Sequence, residues 1–357
     1  MDVTDARAIA GRFAMGGDVR SIMSLPGGHI NDSYRIDLGG KEEGTSFLLQ
    51  RLNPQVFPRP DHVMENVARV TRHIADQGGP TLTLVPTVDG RDWLVDGVGG
   101  VWRLFRWIPD SAMRVRAESP EACFVCGKAF GEFLRLVGTY AGPPLHETIP
   151  GFHDTERRFA QLDAAVERAA SSRLAGAQAE VTAVLGERSV AGVLPLRVAA
   201  GALPTRIVHN DAKIANVLFD RWSEAALCVV DLDTVMPGSP LADFGDLVRS
   251  CVTQAAEDER DLPKVWADPA RFAALARGFL EGSGDLLSGV ERELLVFSGR
   301  WITLEQTVRF LTDYLGGDRY YRVSYPDHNL VRTRAQLALY RSLTNQESGL
   351  AKLVGRS

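Results

Sequence analysis

The sequence predicts an α+β chain folded in two lobes, a small antiparallel sheet followed by a larger, mainly helical body. Three observations carry this expectation. Up to Ile108 the chain alternates short β-rich runs with glycine and proline turns, interrupted by one amphipathic helical stretch. From Ser119 onward, apolar residues recur at helical spacing almost to the end. Between Ile207 and Asp233 that helical pattern gives way to strand, turn and strand, with polar residues gathered at one end. The expected lobes are residues 1–108, with a five-stranded sheet and a helix, and residues 109–357.

The elements follow in order. Residues 2–15 place Ala6, Ile9, Ala10, Phe13 and Ala14 on one helical face. Two strands, from Ser21 to Pro26 and on to Ile36, flank the turn Gly27-Gly28, and Phe47–Asn53 is the third strand. Pro54, Pro58 and Pro60 break the chain, and Asp61 is expected to cap a helix carrying Val63, Val67, Val70 and Ile74 on one face. Leu82–Thr87 and Asp92–Asp96 read as a hairpin turning at Asp89-Gly90, and Val101–Pro109 as the last strand. Helices are then expected over 121–137, 154–188, 190–203, 241–254, 268–281, 288–315 and 327–346, with Met236–Pro240 as a loop.

Composition narrows the class. The 357 residues are 45% apolar and 24% charged, with a net charge of −5 and no basic run. Nucleic acid and an anionic membrane surface are therefore not the expected partners. No apolar segment is long enough to span a bilayer, and the N-terminus lacks a signal-peptide pattern, so the cytoplasm is the expected compartment, with a monomer as the default. Cys123-x-x-Cys126 lies within a helical apolar pattern without a second ligand pair, so both are expected to be buried thiols, like Cys228 in a core strand.

The stretch IVHNDAKIANVLFDRWSEAALCVVDLD, Ile207 to Asp233, carries the chemistry. A hairpin would bring its two acidic centres to one end. The spacing His209-x-Asp211-x-x-x-x-Asn216 is that of a kinase catalytic loop. Phosphoryl transfer needs a carboxylate to orient a hydroxyl and take its proton, and Mg²⁺ held by a carboxylate and an amide oxygen. Asp211 suits the first role, Asn216 and Asp231 the second, and Lys213 can reach the transferring phosphate as a point charge. Gly27 and Gly28 would offer free backbone N–H groups to a nucleotide. The third strand lacks the lysine that kinases use to hold the α- and β-phosphates, and Arg51 is preferred over Gln50 for that role, with Glu65 as its ionic partner. Backbone groups of Arg106, Trp107 and Ile108 are expected at the adenine. Asp243-Phe244-Gly245 spells a kinase metal triplet, but it lies too far along. Asp243 is expected instead to cap its helix and tie down the catalytic loop.

Here a resemblance enters. VHNDAKIANVLFD followed by VVDLD resembles the aminoglycoside phosphotransferase family of small-molecule kinases, which have a two-lobed, protein-kinase-like fold. GGHINDSYRI, LLQRLNPQVFPRPDHVMENV, ETIPGFHDTERR, VVDLDTVMPGSPLADFGDLVRS and RFLTDYLGGDRYY narrow the resemblance to the N-acetylhexosamine 1-kinases. It implies transfer from ATP, with Mg²⁺, to the anomeric hydroxyl of GlcNAc or GalNAc. It also implies Asp211 as base, Asn216 and Asp231 as metal ligands, and Arg309 and Tyr320 in the sugar pocket, with His29 and Asp32 facing sugar or phosphates. Two alternatives stand beside it. One is a kinase of the same fold for homoserine, choline, a methylthio-sugar or an aminoglycoside. The other is a non-catalytic nucleotide- or sugar-binding relative, which the absent lysine favours and the complete Asp211, Asn216, Asp231 set opposes.

Overall fold

The structure is a computed structural model that describes residues 3–25, 30–42 and 44–355. Helix α1 (Val3–Ala10) precedes β1 (Val19–Ser24), β2 (Asp32–Leu38), β3 (Ser46–Arg51), α2 (Pro60–Asp76), β4 (Leu94–Val95) and β5 (Val101–Arg106). The strands form one antiparallel sheet in the order β1-β2-β3-β5-β4. Side chains alternate across its pleat. Ile36, Leu38, Phe47, Leu49, Trp102 and Leu104 pack with Ala6, Ala10 and Phe13 in a core of their own. On the opposite face Val101 and Phe105 join the apolar face of α2, including Val63, Val67 and Val70, and through it the core of the second lobe.

Three expectations need correction here. The first helix ends at Ala10, and Phe13 instead forms a bridge with Thr87. Asp61 does not cap α2: Arg59 is the N-cap, Pro60 follows it, and Asp61 is paired with Arg59 in the first turn. Leu82–Thr87 and Asp92–Asp96 do not form the expected hairpin. Val85 donates its amide to Leu104 and only Leu94–Val95 joins the sheet, because β5 is the neighbour that completes both segments.

The second lobe begins with β6 (Ser111–Met113), α3 (Pro120–Val137), α4 (Thr155–Arg168), α5 (Ser171–Gly176), α6 (Gln178–Gly186) and α7 (Val193–Ala199). It continues with β7 (Arg206–Val208), β8 (Val217–Asp220), β9 (Ala226–Val229), β10 (Met236–Gly238), α8 (Pro240–Cys251), α9 (Pro269–Ser283), α10 (Gly289–Glu293), α11 (Leu295–Leu315) and α12 (His328–Val354). The expected helix over 154–188 is three helices, broken at Ala169 and Ala177. Met236–Gly238 is not a loop but a strand paired with β7, which brings the segment after the hairpin back against the one before it. Helices α3 and α9 cross at backbone contact. A Cβ on Gly127 would sit 2.4 Å from the Leu275 carbonyl oxygen, and one on Gly278 2.1 Å from that of Phe124. This close packing fixes α3, whose Phe130 and Phe133 form the wall behind His209. Cys123 and Cys126 are buried free thiols on α3, as is Cys228 on β9.

Candidate active site

The site is built on the β8–β9 hairpin and the loops at its ends. His209 is fully buried between the edges of Phe130 and Phe133. Its Nδ1 accepts from the Asp211 amide, 3.3 Å, and its Nε2 lies 2.9 Å from the Val230 carbonyl, so the neutral ring with hydrogen on Nε2 satisfies both. This one ring therefore ties the Asp211 loop to the residue before Asp231. Asp243, on α8, accepts the amides of His209 and Asn210 at 2.9 and 2.7 Å. It ties down the loop as expected but does not cap α8, which Ser239 does. Asn210 takes a left-handed backbone, φ 65°, and its side chain donates to the Thr234 carbonyl.

Asp211 is thereby turned into the cleft. Its Oδ2 accepts from Lys213 Nζ at 2.7 Å and from Asn216 Nδ2 at 3.1 Å, and Asn216 Nδ2 also reaches the Asp211 carbonyl at 2.8 Å. Burial pushes the Asp211 carboxyl up, but the Lys213 charge and hydrogen bond outweigh it and hold the group below the ordinary range, ionised. Lys213 is shifted the other way: burial opposes its charge, and Asp211 and Asp231 together more than restore it. Asp231 stands at the end of β9 in the left-handed region, φ 61°, which aspartate tolerates better than most residues. Asp231 remains exposed to solvent, and the protein packed around it, then the charges of Asp233 and Asp211, push its carboxyl above the ordinary range. The Val230 amide donates to the Asn216 carbonyl, 2.9 Å, which holds the segment leading to Asp231 beside Asn216.

This donor set fits Mg²⁺. Asn216 donates through Nδ2 and so keeps Oδ1 as a ligand atom, while Asp231 offers a carboxylate that the Lys213 charge only partly offsets. Among the described residues no group of three or more His, Cys, Asp or Glu forms a cage. Mg²⁺ does not require one, since it takes one or two carboxylates and completes its shell with phosphate and water.

Beyond Asp211 lies the second part of the site. His153 places Nδ1 2.8 Å from Glu305 Oε1 and Nε2 2.9 Å from the Asn210 carbonyl. Both partners are acceptors, so the ring is an imidazolium. Burial disfavours its charge, but Glu305 raises its pKa above the ordinary value, and Glu305 is held below its own. Arg309, one turn along α11 from Glu305, feels the Asp211 charge and lies within 6 Å of three rings, Phe152 at 5.4 Å, Tyr321 at 5.6 Å and Tyr320 at 5.9 Å. The loop after α11 is gathered by Asp313, which accepts the amides of Arg319, Tyr320 and Tyr321 at 2.8, 2.8 and 2.9 Å. A cleft of about 840 Å³ opens between α4 and α11, lined by Arg157, Arg158, Arg168, Arg309, Arg319 and Tyr320 among others. Among the described residues none of those five arginines is ion-paired to a carboxylate.

Several expected residues fall elsewhere. Gly27, Gly28 and His29 lie outside the described residues. The expectation for Arg51 is corrected: it shares the pleat parity of Phe47 and Leu49, so it lies on the α1 side, its guanidinium carbon 5.8 Å from the Trp102 ring. Gln50 points to the other side. Asp32, opposite Arg51 in the ladder, has the same parity as Tyr34 and Ile36 and likewise does not face the cleft. Glu65 does not meet the third strand either. It binds Arg69 at 2.7 Å and His146 at 2.8 Å, because α2 turns that face toward the segment before α4. The amides of Arg106 and Trp107 are taken by the carbonyls of Thr83 and Ser46, so at those two residues an adenine would meet carbonyls rather than N–H groups. The Ile108 carbonyl accepts from Ser111.

What the sequence reading missed is Arg103. Buried on β5, it is ion-paired to Asp233, and its Nε and a terminal nitrogen reach Gln50 Oε1 at 3.0 and 2.8 Å. Asn31 donates to the other Asp233 oxygen at 2.8 Å. An arginine in the middle of an apolar strand, VWRLF, was the available signal: such a residue needs a buried acid.

Solved structures of the same fold surround this chain. An aminopropanol kinase associated with a microcompartment superposes with TM-score 0.64 at 14% identity, covering 98% of this chain and 99% of that one. An aminoglycoside phosphotransferase from Alicyclobacillus acidocaldarius gives 0.65 at 12% identity, covering 98% and 96%. A spectinomycin phosphotransferase in complex with ADP and spectinomycin gives 0.58 at 14%, covering 90% and 93%. The sequence model of the phosphotransferase enzyme family matches residues 21–277, from β1 through the catalytic hairpin into α9. With a two-lobed α+β fold and that match over most of its length, the chain belongs to the phosphotransferase enzyme family.

Proposed function

We propose that the protein is an ATP- and Mg²⁺-dependent kinase that phosphorylates the anomeric hydroxyl of an N-acetylhexosamine, GlcNAc or GalNAc. Asp211 accepts the hydroxyl proton as the oxygen attacks the γ-phosphorus and the bond to ADP breaks. Lys213 keeps that carboxylate ionised and adds a positive charge beside the transferring group. Asp231 and Asn216 Oδ1 are the residues to hold Mg²⁺, which would neutralise the phosphate oxygens. An anomeric hydroxyl is more acidic than an ordinary alcohol, which suits a base with a low pKa. Use of a nucleotide is supported by the ADP bound in the spectinomycin phosphotransferase.

One observation supports the acceptor class: guanidinium groups and tyrosine rings contribute much of the lining of the cleft between α4 and α11, and one of them, Arg309, feels the Asp211 charge. Aminopropanol and spectinomycin, the acceptors named for two relatives, are amines and would bring a cation against that lining. A hexosamine is neutral, and arginine donors, a carboxylate and an aromatic ring suit its hydroxyls and its apolar face. The test is nucleotide consumption with Mg²⁺-ATP against GlcNAc, GalNAc, glucose, galactose, choline, homoserine and kanamycin, the product identified by phosphorus NMR. A sugar 1-phosphate from an N-acetylated hexose is the expected result. Turnover on an amine alone would discard the acceptor assignment and leave Asp211 as base.

A further inference from the structure

The third strand of this kinase-like sheet has no lysine, and the residue that faces the cleft in its place, Gln50, carries no charge. The charge arrives from the neighbouring strand. We propose that Arg103 is a positioning residue that takes over the missing lysine's structural task. It holds the segment Asp231–Asp233 against the sheet through Asp233, and so sets where Asp231 stands. The inference rests on the phosphotransfer reading and assigns a further residue to that site.

Arg103 cannot act as such a lysine acts, by touching phosphate. Its side chain is 2% exposed, and that of Asp233 is 3%. One terminal nitrogen is on Asp233 Oδ1, Nε and the other on Gln50 Oε1, and the guanidinium lies 5.0 Å from the Phe105 ring. The planar fork suits two partners held at a fixed angle, which an ammonium cannot match. Gln50 is fixed in turn by Ser33 Oγ, 3.1 Å. The other oxygen of Asp233 takes the Asn31 amide, whose own carbonyl accepts from the Asn53 backbone at 3.1 Å. Its main-chain carbonyl accepts from Thr148 at 3.0 Å. Two N-lobe side chains, on either side of β3, thus converge on one C-lobe carboxylate, two residues past Asp231. With both oxygens engaged, Asp233 is an anchor and not a metal ligand.

The experiment titrates Mg²⁺ against binding of a fluorescent ATP analogue, which needs no acceptor, and runs thermal unfolding and steady-state kinetics beside it. Arg103→Met should raise the half-saturating Mg²⁺ concentration about 10-fold or more, as loss of an outer-shell support to a metal ligand does. Arg103→Lys should recover only part of this, and Asp233→Asn should match Arg103→Met without exceeding it. The acceptor KM should not move. Should Arg103→Met fold poorly, Arg103→Met/Asp233→Leu keeps the test alive. It leaves no unpaired buried charge and should regain thermal stability while keeping the high Mg²⁺ requirement. A double variant with the wild-type Mg²⁺ requirement would reduce Arg103 to a packing role and overturn the proposal. So would an Asp233→Asn variant that loses Mg²⁺ response well beyond Arg103→Met, since Asp233 would then be a ligand. Wild-type protein that binds Mg²⁺-nucleotide but phosphorylates no sugar sinks the acceptor assignment alone, and the titration still decides on Arg103. Wild-type protein that binds no nucleotide overturns both.

Discussion

The loop that carries Asp211 and the loop after α11 are held by the same device and finished differently. In each, a carboxylate on a helix gathers consecutive backbone amides: Asp243 takes those of His209 and Asn210, Asp313 those of Arg319, Tyr320 and Tyr321. In the catalytic loop the working side chains are then locked as well, Asp211 by Lys213 and Asn216. Around the loop after α11 they are held less tightly. Tyr320 is 62% exposed, and among the described residues Arg309 has one side-chain hydrogen bond, to Gln306 at 3.2 Å. Chemistry common to a family tolerates little displacement of its base, so geometry is fixed to the atom. An acceptor wall can change partner by changing side chains on a fixed backbone.

The largest expected effect breaks the locked half. Asp211→Asn removes the proton acceptor and should lower kcat by about 10²- to 10⁴-fold, with nucleotide binding nearly unchanged in a displacement assay. An unaffected rate would mean that another group is the base.

A pairwise substitution sharpens the comparison next. Asp243→Ala strands two buried amides and should lower stability by about 2–4 kcal/mol in urea unfolding while reducing kcat. Asp313→Ala should instead raise the acceptor KM, by about 10-fold for roughly 1.4 kcal/mol of lost positioning, and leave the ATP KM alone. If Asp313→Ala moved the ATP KM and spared the acceptor, the loop after α11 would not belong to the acceptor side.

The smallest effect joins the two halves. His153 links Glu305 on α11 to the Asn210 carbonyl beside the base. Its folded pKa is raised above the ordinary 6.5, so its contribution to stability is full below that value and is lost as pH rises through the folded pKa. Glu305 works in the opposite sense: its lowered pKa makes its contribution complete above its ordinary 4.5 and lost only on acidification below that. The Tm gap between wild type and His153→Gln should therefore narrow as pH is raised from about 5.5 to about 9, by a few degrees for roughly 1 kcal/mol. A gap that widens would mean that the ring is neutral in the folded protein.

How far the sequence could be read follows from how far apart the partners lie. Asp211, Lys213 and Asn216 lie within one loop, and Asp231 returns on a hairpin whose two strands are both legible, so local spacing was enough to bring them together. Arg51 illustrates the opposite case. Both parities of β3 carry leucine, and nothing within Phe47–Leu52 says which face meets the cleft; α1 and α2, packing on opposite sides, decide that. Glu65 failed for the same reason, since the rotation of α2 was set by His146, 81 residues away.

By itself the sequence determined the two-lobed order of elements, the hairpin and the set of groups at its end. Helical and strand periodicity and short loops are properties of neighbouring residues. Only the tertiary structure decided that a charge missing from the third strand returns on the fifth, in an ion pair between Arg103 and Asp233, 130 residues apart. It also decided that arginines of α4 and α11 face one cleft. A buried charge demands a partner, but which residue meets it depends on how the lobes pack.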